Sequence, residues 1–418
     1  MGGAYIATNK PIALRAAQGT LAARATGPQG KAMTDDLAGT VSRRMLMRGA
    51  LGAAAALPLS ARLAPARAQP AMPLPPQDPA GMIASLTDGV FINANENPLG
   101  PGENALKALA GLEKLGGRYG FPLSARLATL FAGQNGLKAE NIAVHPGSFA
   151  PLRNAMLAFS SKERPIAYAE PTFSDGFYGA NGQPVTRAVT VPLAGDFALD
   201  VRALLAAAPD AGLFYICNPN NPTGLVTPRA DIEWLLANKP AGSLLLIDEA
   251  YIHYSDRAQS CLDLVAKGAD VLVLRTFSKI YGLAGLRLGL VAARRDLLDR
   301  LMDYGVNIPP MPAVIAAEAS LLDPALVPAR KAYTAAVRND VFAWLQERGI
   351  RTLPSETSFA MLHVGRPGEE VQAALARERV FTSGSRKHMP DWMRISFGTP
   401  AEMAAFKTAF AKVMGLKA

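Results

Sequence analysis

The chain has 418 residues, half of them apolar and 18% charged, so it can bury one large core or two moderate ones. Its formal net charge is +9, but residues 1–68 hold nine Lys or Arg against two Asp, which leaves little net charge elsewhere. Because the basic residues are concentrated in that segment, nucleic acid is not an expected partner. The two cysteines predict no disulfide framework, and the four scattered histidines predict no metal site.

Residues 1–68 are predicted to form an export leader. The segment S-R-R-M-L-M-R at 42–48 is followed by a short apolar run and by an A-x-A cleavage pattern at 66–68. The apolar run is too short to span a membrane. Paired arginines in this setting resemble a twin-arginine signal, which export machinery reads as an address, and so predict a periplasmic protein. The alternatives are a disordered tail rich in Ala and Arg, and a cytoplasmic location.

A Pro-rich linker at 69–80 leads to an N-terminal arm at 81–104, and a large α/β domain is predicted at 105–306. Five short apolar runs in this domain each end in polar or turn residues, and helix-like stretches separate several of them. The runs are N-I-A-V-H-P, R-P-I-A-Y-A-E-P, G-L-F-Y-I-C-N-P, G-S-L-L-L-I-D-E and D-V-L-V-L-R-T. Continuous apolar strands alternating with helices predict a mostly parallel sheet that is covered on both faces.

A smaller α+β domain is predicted at 307–418. A helical pattern over about 313–348 follows the proline-rich N-I-P-P-M-P, and the strand-like T-S-F-A-M-L-H-V and W-M-R-I-S-F-G come after it. The arm at 81–104 is assigned to this domain.

Polar residues follow three successive strands of the predicted sheet, where ligands of open α/β sheets bind. They lie in N-P-N-N-P-T-G (218–224), D-E-A-Y (248–251) and S-K (278–279). A lysine held away from bulk water can attack a carbonyl, an aspartate can pair with a protonated pyridine nitrogen, and asparagine and tyrosine can donate to a phenolate oxygen. These partners together describe pyridoxal phosphate. Ser278, Arg287 and the turn P-G-S-F at 146–149 are candidates to hold its phosphate.

Residues 88–410 resemble the fold-type I aminotransferases, and in particular the histidinol-phosphate aminotransferase branch. Seven segments in family order carry the resemblance: N-A-N-E-N-P-L-G-P (93–101), G-R-Y (117–119), P-T-F (171–173), N-P-N-N-P-T-G, D-E-A-Y, R-T-F-S-K with G-L-A-G-L-R-L-G (275–289), and M-R-I-S-F-G-T (393–399). The fold implied is a large pyridoxal-phosphate-binding domain with a smaller C-terminal domain.

The resemblance implies a role for each matching residue in holding the cofactor. Lys279 is implied as the Schiff-base residue and catalytic base, and Asp248 as the partner of the pyridinium nitrogen. Asn221 and Tyr251 would bond the phenolic oxygen, with Tyr251 counted among the catalytic residues. Phe173 would stack on the ring, where relatives usually have tyrosine.

Further positions are implied for the phosphate, the partner subunit and the substrate. Ser278, Arg287 and the backbone amides of Gly147 and Ser148 would hold the phosphate. Tyr119 would reach the phosphate in a partner subunit, which implies a homodimer.

Arg394 would clamp the substrate carboxylate, and Asn95 is a further substrate-binding candidate. Leu99 and Phe381 stand where relatives have a tyrosine and an arginine. If they contact the substrate, they favour an apolar or aromatic side chain over a phosphate.

The sequence therefore predicts an aminotransferase that moves an amino group between an amino acid, or a histidinol-phosphate-like amine, and a 2-oxo acid. A pyridoxal-phosphate-dependent decarboxylase or lyase of the same fold is one alternative. A protein that binds the cofactor or a ligand without catalysis is another.

Overall fold

The structure is a computed structural model that describes residues 88–305 and 308–417. The predicted leader at 1–68, the linker at 69–80 and the first part of the arm lie outside the described residues. The strands are β1 (Val90–Phe91), β2 (Ile142–His145), β3 (Ile166–Glu170), β4 (Ala188–Pro192), β5 (Leu213–Cys217), β6 (Leu244–Asp248), β7 (Val271–Thr276), β8 (Gly289–Ala292), β9 (Phe359–His363), β10 (Val380–Phe381) and β11 (Trp392–Ser396).

Helices separate most of these strands. They are α1 (Glu103–Leu109), α2 (Phe121–Gln134), α3 (Phe149–Phe159), α4 (Val201–Ala207), α5 (Arg229–Asn238), α6 (Leu262–Ala266), α7 (Arg295–Met302), α8 (Met311–Leu321), α9 (Leu326–Glu347), α10 (Gly368–Arg377) and α11 (Pro400–Met414). Within the described residues, no single helix is long and apolar enough to cross a membrane, and only the bent pair α8–α9 meets that test jointly.

A seven-stranded sheet in the order β2-β8-β7-β6-β5-β3-β4 forms the centre of the molecule. Strands β4, β3, β5, β6 and β7 pair in parallel, whereas β8 is antiparallel to both of its neighbours, β7 and β2. The mostly parallel α/β sheet predicted from the sequence is confirmed.

Both faces of the sheet are covered, as the continuous apolar runs predict. Along β6, Leu245 and Ile247 belong to one hydrophobic cluster, while Leu244 and Leu246 belong to a second cluster. Successive side chains of a strand point to opposite faces, so the two clusters lie on the two sides of the sheet. All four of these leucine and isoleucine side chains are at most 4% exposed.

The C-terminal part is built around the antiparallel pair β9–β11. Ile92 of the N-terminal arm is buried in the same cluster as residues of α9, β9, β11 and α11. The arm also pairs in parallel with the C-terminal part through β1 and β10. The helical segment predicted at 313–348 is two helices, because Pro324 lies in the break between α8 and α9, where proline disfavours a continuous helix.

Candidate active site

The polar residues at the ends of β5, β6 and β7 lie in one pocket. These three strands are parallel neighbours, so their carboxyl ends lie along the same edge of the sheet. The pocket brings together ten residues that the sequence predicted for the site: Asn95, Ser148, Phe173, Asn221, Asp248, Tyr251, Ser278, Lys279, Arg287 and Arg394. Backbone groups of residues 93–94 complete the wall on the side of the N-terminal arm.

Lys279 is partly buried at the end of the β7 segment. Its ammonium group donates to the carbonyl oxygen of Ala94 over 3.2 Å and lies 5.7 Å from the centre of the Tyr251 ring. Burial, together with the positive charge of Arg394, lowers the pKa of Lys279 to about 8. Near neutral pH, Lys279 is therefore unprotonated in a far larger share of molecules than an ordinary lysine, and the unprotonated amine is the form that attacks a carbonyl.

Asp248, the last residue of β6, is 3% exposed. Its carboxylate accepts hydrogen bonds from the Ala250 amide over 3.1 Å and from the Tyr215 hydroxyl over 3.3 Å. Burial raises the pKa of Asp248 to about 6, against the opposing effect of both hydrogen bonds and of the Lys279 charge. A protonated ring nitrogen beside this carboxylate would favour its ionised form further.

Tyr251 and Asn221 are both held by neighbouring polar side chains. Asn95 Nδ2 donates to the Tyr251 hydroxyl over 3.1 Å, and burial raises the pKa of Tyr251 well above its ordinary value. The phenol is therefore a protonated donor at neutral pH. Asn221 Oδ1 accepts from Arg394 Nη1 over 2.6 Å, which orients the amide so that Nδ2 faces away from the guanidinium.

The predicted phosphate cradle is assembled around Arg287. Arg287 Nη1 donates to the carbonyl oxygen of Ala284 over 3.0 Å and lies 3.4 Å from Ser278 Oγ. A Cβ atom on Gly147 would lie 2.5 Å from Arg287 Nη2, so only glycine lets the turn approach the guanidinium this closely. Ser148 precedes the first residue of α3, where free backbone amides favour an anion.

Arg386, which the sequence analysis did not predict for the site, lies in the pocket beside Arg394. Nη2 of each guanidinium donates to the same hydroxyl, Ser383 Oγ, over 3.0 Å and 3.2 Å respectively. Within the described residues, every hydrogen bond of these two groups goes to a neutral acceptor. Burial, and then the charge of Arg386, lower the pKa of Arg394 to about 10, and Arg394 Nε has no hydrogen-bond partner in the part of the chain that the structure describes.

Other pocket residues were also missed by sequence reasoning. Lys387 lies next to Arg386 and pairs with the buried carboxylate of Glu170, and Asp175 is an exposed acid on the pocket wall. In S-G-S-R-K-H at 383–388, Arg386 and Lys387 are adjacent cations with no acidic residue beside them in the sequence. This pattern could have indicated an anion-binding position. Tyr215 does not line the pocket but bonds Asp248, and it could have been noticed as a hydroxyl in the middle of an otherwise apolar strand.

Three predicted site residues lie outside the pocket, and Gly147 reaches it only through its contact with Arg287. Tyr119 is 68% exposed and stacks on Phe121. Leu99 is 43% exposed, beyond the turn of the N-terminal arm. Phe381 stacks on Phe91 at a ring distance of 4.8 Å, because the pairing of β10 with β1 directs it to that side. Within this chain, Leu99 and Phe381 therefore do not line the pocket.

The residues present fit pyridoxal phosphate at each of its polar groups. A primary amine of lowered pKa suits its aldehyde, a buried carboxylate suits its ring nitrogen, and the glycine-lined cradle of Arg287 and Ser278 suits its phosphate. When bound, this cofactor supplies an electron sink for chemistry at the substrate's α-carbon. Lys279 Nζ is the group placed to take up and return a proton there, and Arg394 would orient the carboxylate of a bound substrate. The fold and the site thus define a pyridoxal-phosphate enzyme.

Comparisons with known proteins agree with this reading. The profile of the family "Aminotransferase class I and II" matches residues 89–410. The chain is 33% identical over 364 residues to a histidinol-phosphate aminotransferase of Symbiobacterium thermophilum. The aligned region covers 85% of this chain and 99% of that protein. It is 34% identical over 340 residues to histidinol-phosphate aminotransferase 1 of Cupriavidus pinatubonensis, covering 78% and 88% respectively.

A solved structure shows the same architecture. The histidinol-phosphate aminotransferase of Sinorhizobium meliloti in complex with pyridoxal-5'-phosphate superposes with a TM-score of 0.71 at 26% identity, covering 81% of this chain and 95% of that one. The chain belongs to the class I and II aminotransferases. It is a pyridoxal-phosphate-dependent aminotransferase, as the sequence predicted.

Proposed function

We propose that this aminotransferase acts on a substrate whose anionic groups engage both Arg386 and Arg394. The observation that carries the proposal is the close pair of guanidinium groups that share Ser383 Oγ without a carboxylate among their hydrogen-bond acceptors. Two like charges this close repel each other. The carboxylate of Asp175 favours the charged form of both arginines, and Glu369 favours that of Arg386, yet the pKa of each arginine remains lowered. A bound anion would therefore still stabilise the pair. One carboxylate is enough for Arg394 alone. Arg386 would bind a second anionic group of the substrate, or both arginines would bind the same phosphate dianion.

This proposal departs from the expectation of an apolar or aromatic substrate. That expectation depended on Leu99 and Phe381, which lie outside the pocket. Two kinds of substrate provide anionic groups for both arginines. One is a dicarboxylic amino acid with its 2-oxo acid, and the other is an amine that carries a phosphate monoester. The named activity of the relatives, on histidinol phosphate, belongs to the second kind.

A donor panel tests the proposal. We expect the purified enzyme to prefer glutamate, aspartate or histidinol phosphate over phenylalanine, tyrosine and leucine, measured as the 2-oxo acid or ketone product in single-turnover assays. Arg386→Met should lower kcat/KM for the preferred donor about 30-fold or more, because a charge-assisted pair is lost. The surface variant Arg295→Gln, which breaks only the exposed ion pair with Asp299, serves as control. If the enzyme prefers leucine or phenylalanine as donor and Arg386→Met leaves kcat/KM unchanged, the proposed substrate class is wrong.

We propose further that the enzyme works as a homodimer. The supporting observation is an exposed apolar group near the start of α2 that includes Leu115, Tyr119 and Phe121, each at least 45% exposed. Tyr119 and Phe121 stack with ring centres 5.2 Å apart, and a second copy of the chain would cover them. Light scattering with size-exclusion chromatography should give twice the chain mass, and Phe121→Asp should shift that equilibrium toward the monomer. A monomer that is fully active at all concentrations contradicts this.

Export by the twin-arginine route is also proposed, on the basis of the S-R-R-M-L-M-R segment and the A-x-A pattern at 66–68. That route carries folded cargo, which suits an enzyme that binds its cofactor inside the cell. The test is fractionation of a bacterial host that expresses the full chain. We expect activity in the periplasm, and its loss there when Arg43 and Arg44 are both replaced by lysine. Activity confined to the cytoplasm in both cases would exclude export.

A further inference from the structure

A buried polar network lies directly beside the site, on residues that no cofactor or substrate role explains. Glu249 follows Asp248 and is 1% exposed, and its Oε2 pairs with Arg275 Nε over 2.8 Å. Ser260 Oγ donates to the same Oε2 over 2.9 Å and accepts from Arg275 Nη2 over 2.9 Å. We call Glu249, Arg275, Ser260, His253 and Tyr281 the strand-end network.

His253 closes the network on the other side of the guanidinium. Its Nε2 lies 3.1 Å from Arg275 Nη1, and since a guanidinium can only donate, this nitrogen is the acceptor. Burial, and then the charge of Arg275, lower the pKa of His253 well below its ordinary value, so the ring is neutral. The Tyr281 hydroxyl lies 3.5 Å from the same nitrogen, and the two rings meet edge to face at 5.3 Å.

Members of the network flank the active-site residues along the chain. Glu249 adjoins Asp248, and His253 is two residues after Tyr251. Arg275 and Tyr281 enclose the segment that carries Ser278 and Lys279, one on each side. The network therefore connects the end of β6 to the end of β7 from outside the pocket, and fixes the two segments relative to each other.

The network also controls a charge next to Asp248. Burial is the main cause of the raised pKa of Asp248, and the negative charge of Glu249 adds a smaller rise. Arg275 lies against that charge at ion-pair distance and compensates it. Without Arg275, the buried carboxylate of Glu249 would keep the hydrogen bonds from Ser260 Oγ and the Cys261 amide but lose its ion pair. A less compensated negative charge would then adjoin the aspartate that has to be ionised to pair with the cofactor's ring nitrogen.

We propose that Arg275 is a positioning residue for the cofactor site: by compensating Glu249 it keeps Asp248 ionised, and by bonding Glu249 and His253 it holds the Lys279 segment in register with β6. Arg275 touches neither cofactor nor substrate in this role. The proposal is independent of the substrate preference argued above, since it concerns binding of the cofactor to the apoprotein.

The test separates charge compensation from general structural support. Apoprotein is titrated with pyridoxal phosphate by tryptophan fluorescence at pH 6.5 and pH 8.5, and thermal unfolding of each variant is recorded in parallel. Arg275→Met should weaken cofactor binding about tenfold or more at pH 6.5 and clearly less at pH 8.5, where Asp248 ionises in any case. The double variant Arg275→Met/Glu249→Gln, which removes both charges, should recover most of the affinity at pH 6.5.

The ion pair of Lys239 with Asp270 provides a matched control, because it lies at the opposite end of β7 and its lysine side chain is only 7% exposed. Lys239→Met should lower the melting temperature without a pH-dependent change in cofactor binding. Equal losses in the single and double Arg275 variants at both pH values would overturn the proposal. If Arg275→Met does not fold, Glu249→Gln alone decides: tighter binding at pH 6.5 supports the proposal, and an equal loss at both pH values overturns it.

Discussion

The hydroxyl of Tyr215 donates a hydrogen bond to Asp248 Oδ2 over 3.3 Å, between side chains that are 1% and 3% exposed. Burial raises the pKa of Tyr215 well above its ordinary value, so the hydroxyl keeps its proton and serves the carboxylate as a donor. The bond lowers the pKa of Asp248 against the larger rise that burial causes. Tyr215 thus helps to keep Asp248 in the form that a protonated ring nitrogen requires.

Removal of that hydroxyl gives the first prediction. Tyr215→Phe should raise the pKa of Asp248 and weaken cofactor binding about tenfold or more at pH 6.5, since a hydrogen bond to a charged group contributes about 1.5–3 kcal/mol. At pH 8.5 the loss should be smaller, because Asp248 is ionised with or without the bond. Fluorescence titration of the apoprotein measures both values. Tyr168→Phe is the control, since Tyr168 is equally buried but bonds Tyr178. A loss of the same size in the control would contradict the assigned role.

The lowered pKa of Lys279 predicts how fast the apoprotein captures its cofactor. Attack on the cofactor's aldehyde needs the unprotonated amine, and this form gains population as the pH rises through about 8. The second-order capture rate, followed by stopped-flow absorbance, should rise about tenfold per pH unit below 8 and level off above it. Lys279→Ala should show no capture and no transamination. A rate that kept rising to pH 10 would indicate an ordinary lysine and contradict the burial argument.

The strands of the sheet could be predicted where burial on both faces leaves a continuous apolar run. This holds for β5, β6 and β7, in which every residue is buried. Strand β4 was missed because it lies at the sheet edge, where half-buried and exposed residues interrupt the pattern. Strand β8 was missed because it follows directly on a glycine-rich segment, from which its short apolar run is not separated in the sequence. Short or half-exposed strands are defined by their neighbours in the sheet, and those contacts are not visible in the local sequence.

The site could be predicted where the cofactor's own chemistry dictates residue types at strand ends. Lys279, Asp248 and Asn221 are found together for this reason. Arg386 could not be predicted from any strand end, because it reaches the pocket from the loop between β10 and β11. The orientation of Phe381 could not be predicted either, because a position in the sequence does not reveal the side to which a two-residue strand directs its ring.

The same burial that activates Lys279 should destabilise the protein when the cofactor is absent. The folded-state pKa of about 8 lies below the ordinary value of 10.5, so the folded apoprotein disfavours the protonated lysine. The cost is fully present below pH 8, shrinks as the pH rises from about 8 to 10.5, and vanishes above that range. Lys279→Met apoprotein should therefore melt at a higher temperature than the wild type at pH 7, with a difference that narrows toward pH 10. Calorimetric scans across this range check the sign, and a difference that widens with pH would show that packing causes it.

The close contact between Gly147 and Arg287 gives the last prediction. The atom that an added Cβ would meet is the end of a flexible side chain, so Gly147→Ala should displace the guanidinium from the cradle rather than unfold the turn. Cofactor binding should weaken about tenfold to 100-fold, since a charge-assisted bond to phosphate is worth about 1.5–3 kcal/mol.

Gly136→Ala is the matched control, because Gly136 also has positive φ, +66° against +82° at Gly147, but a Cβ there would contact nothing within 4 Å. Both variants carry the backbone strain of alanine at positive φ, and only Gly147→Ala should lose affinity for inorganic phosphate, measured by calorimetric titration of the apoprotein. Equal phosphate affinity in the two variants would show that the cradle does not depend on this approach.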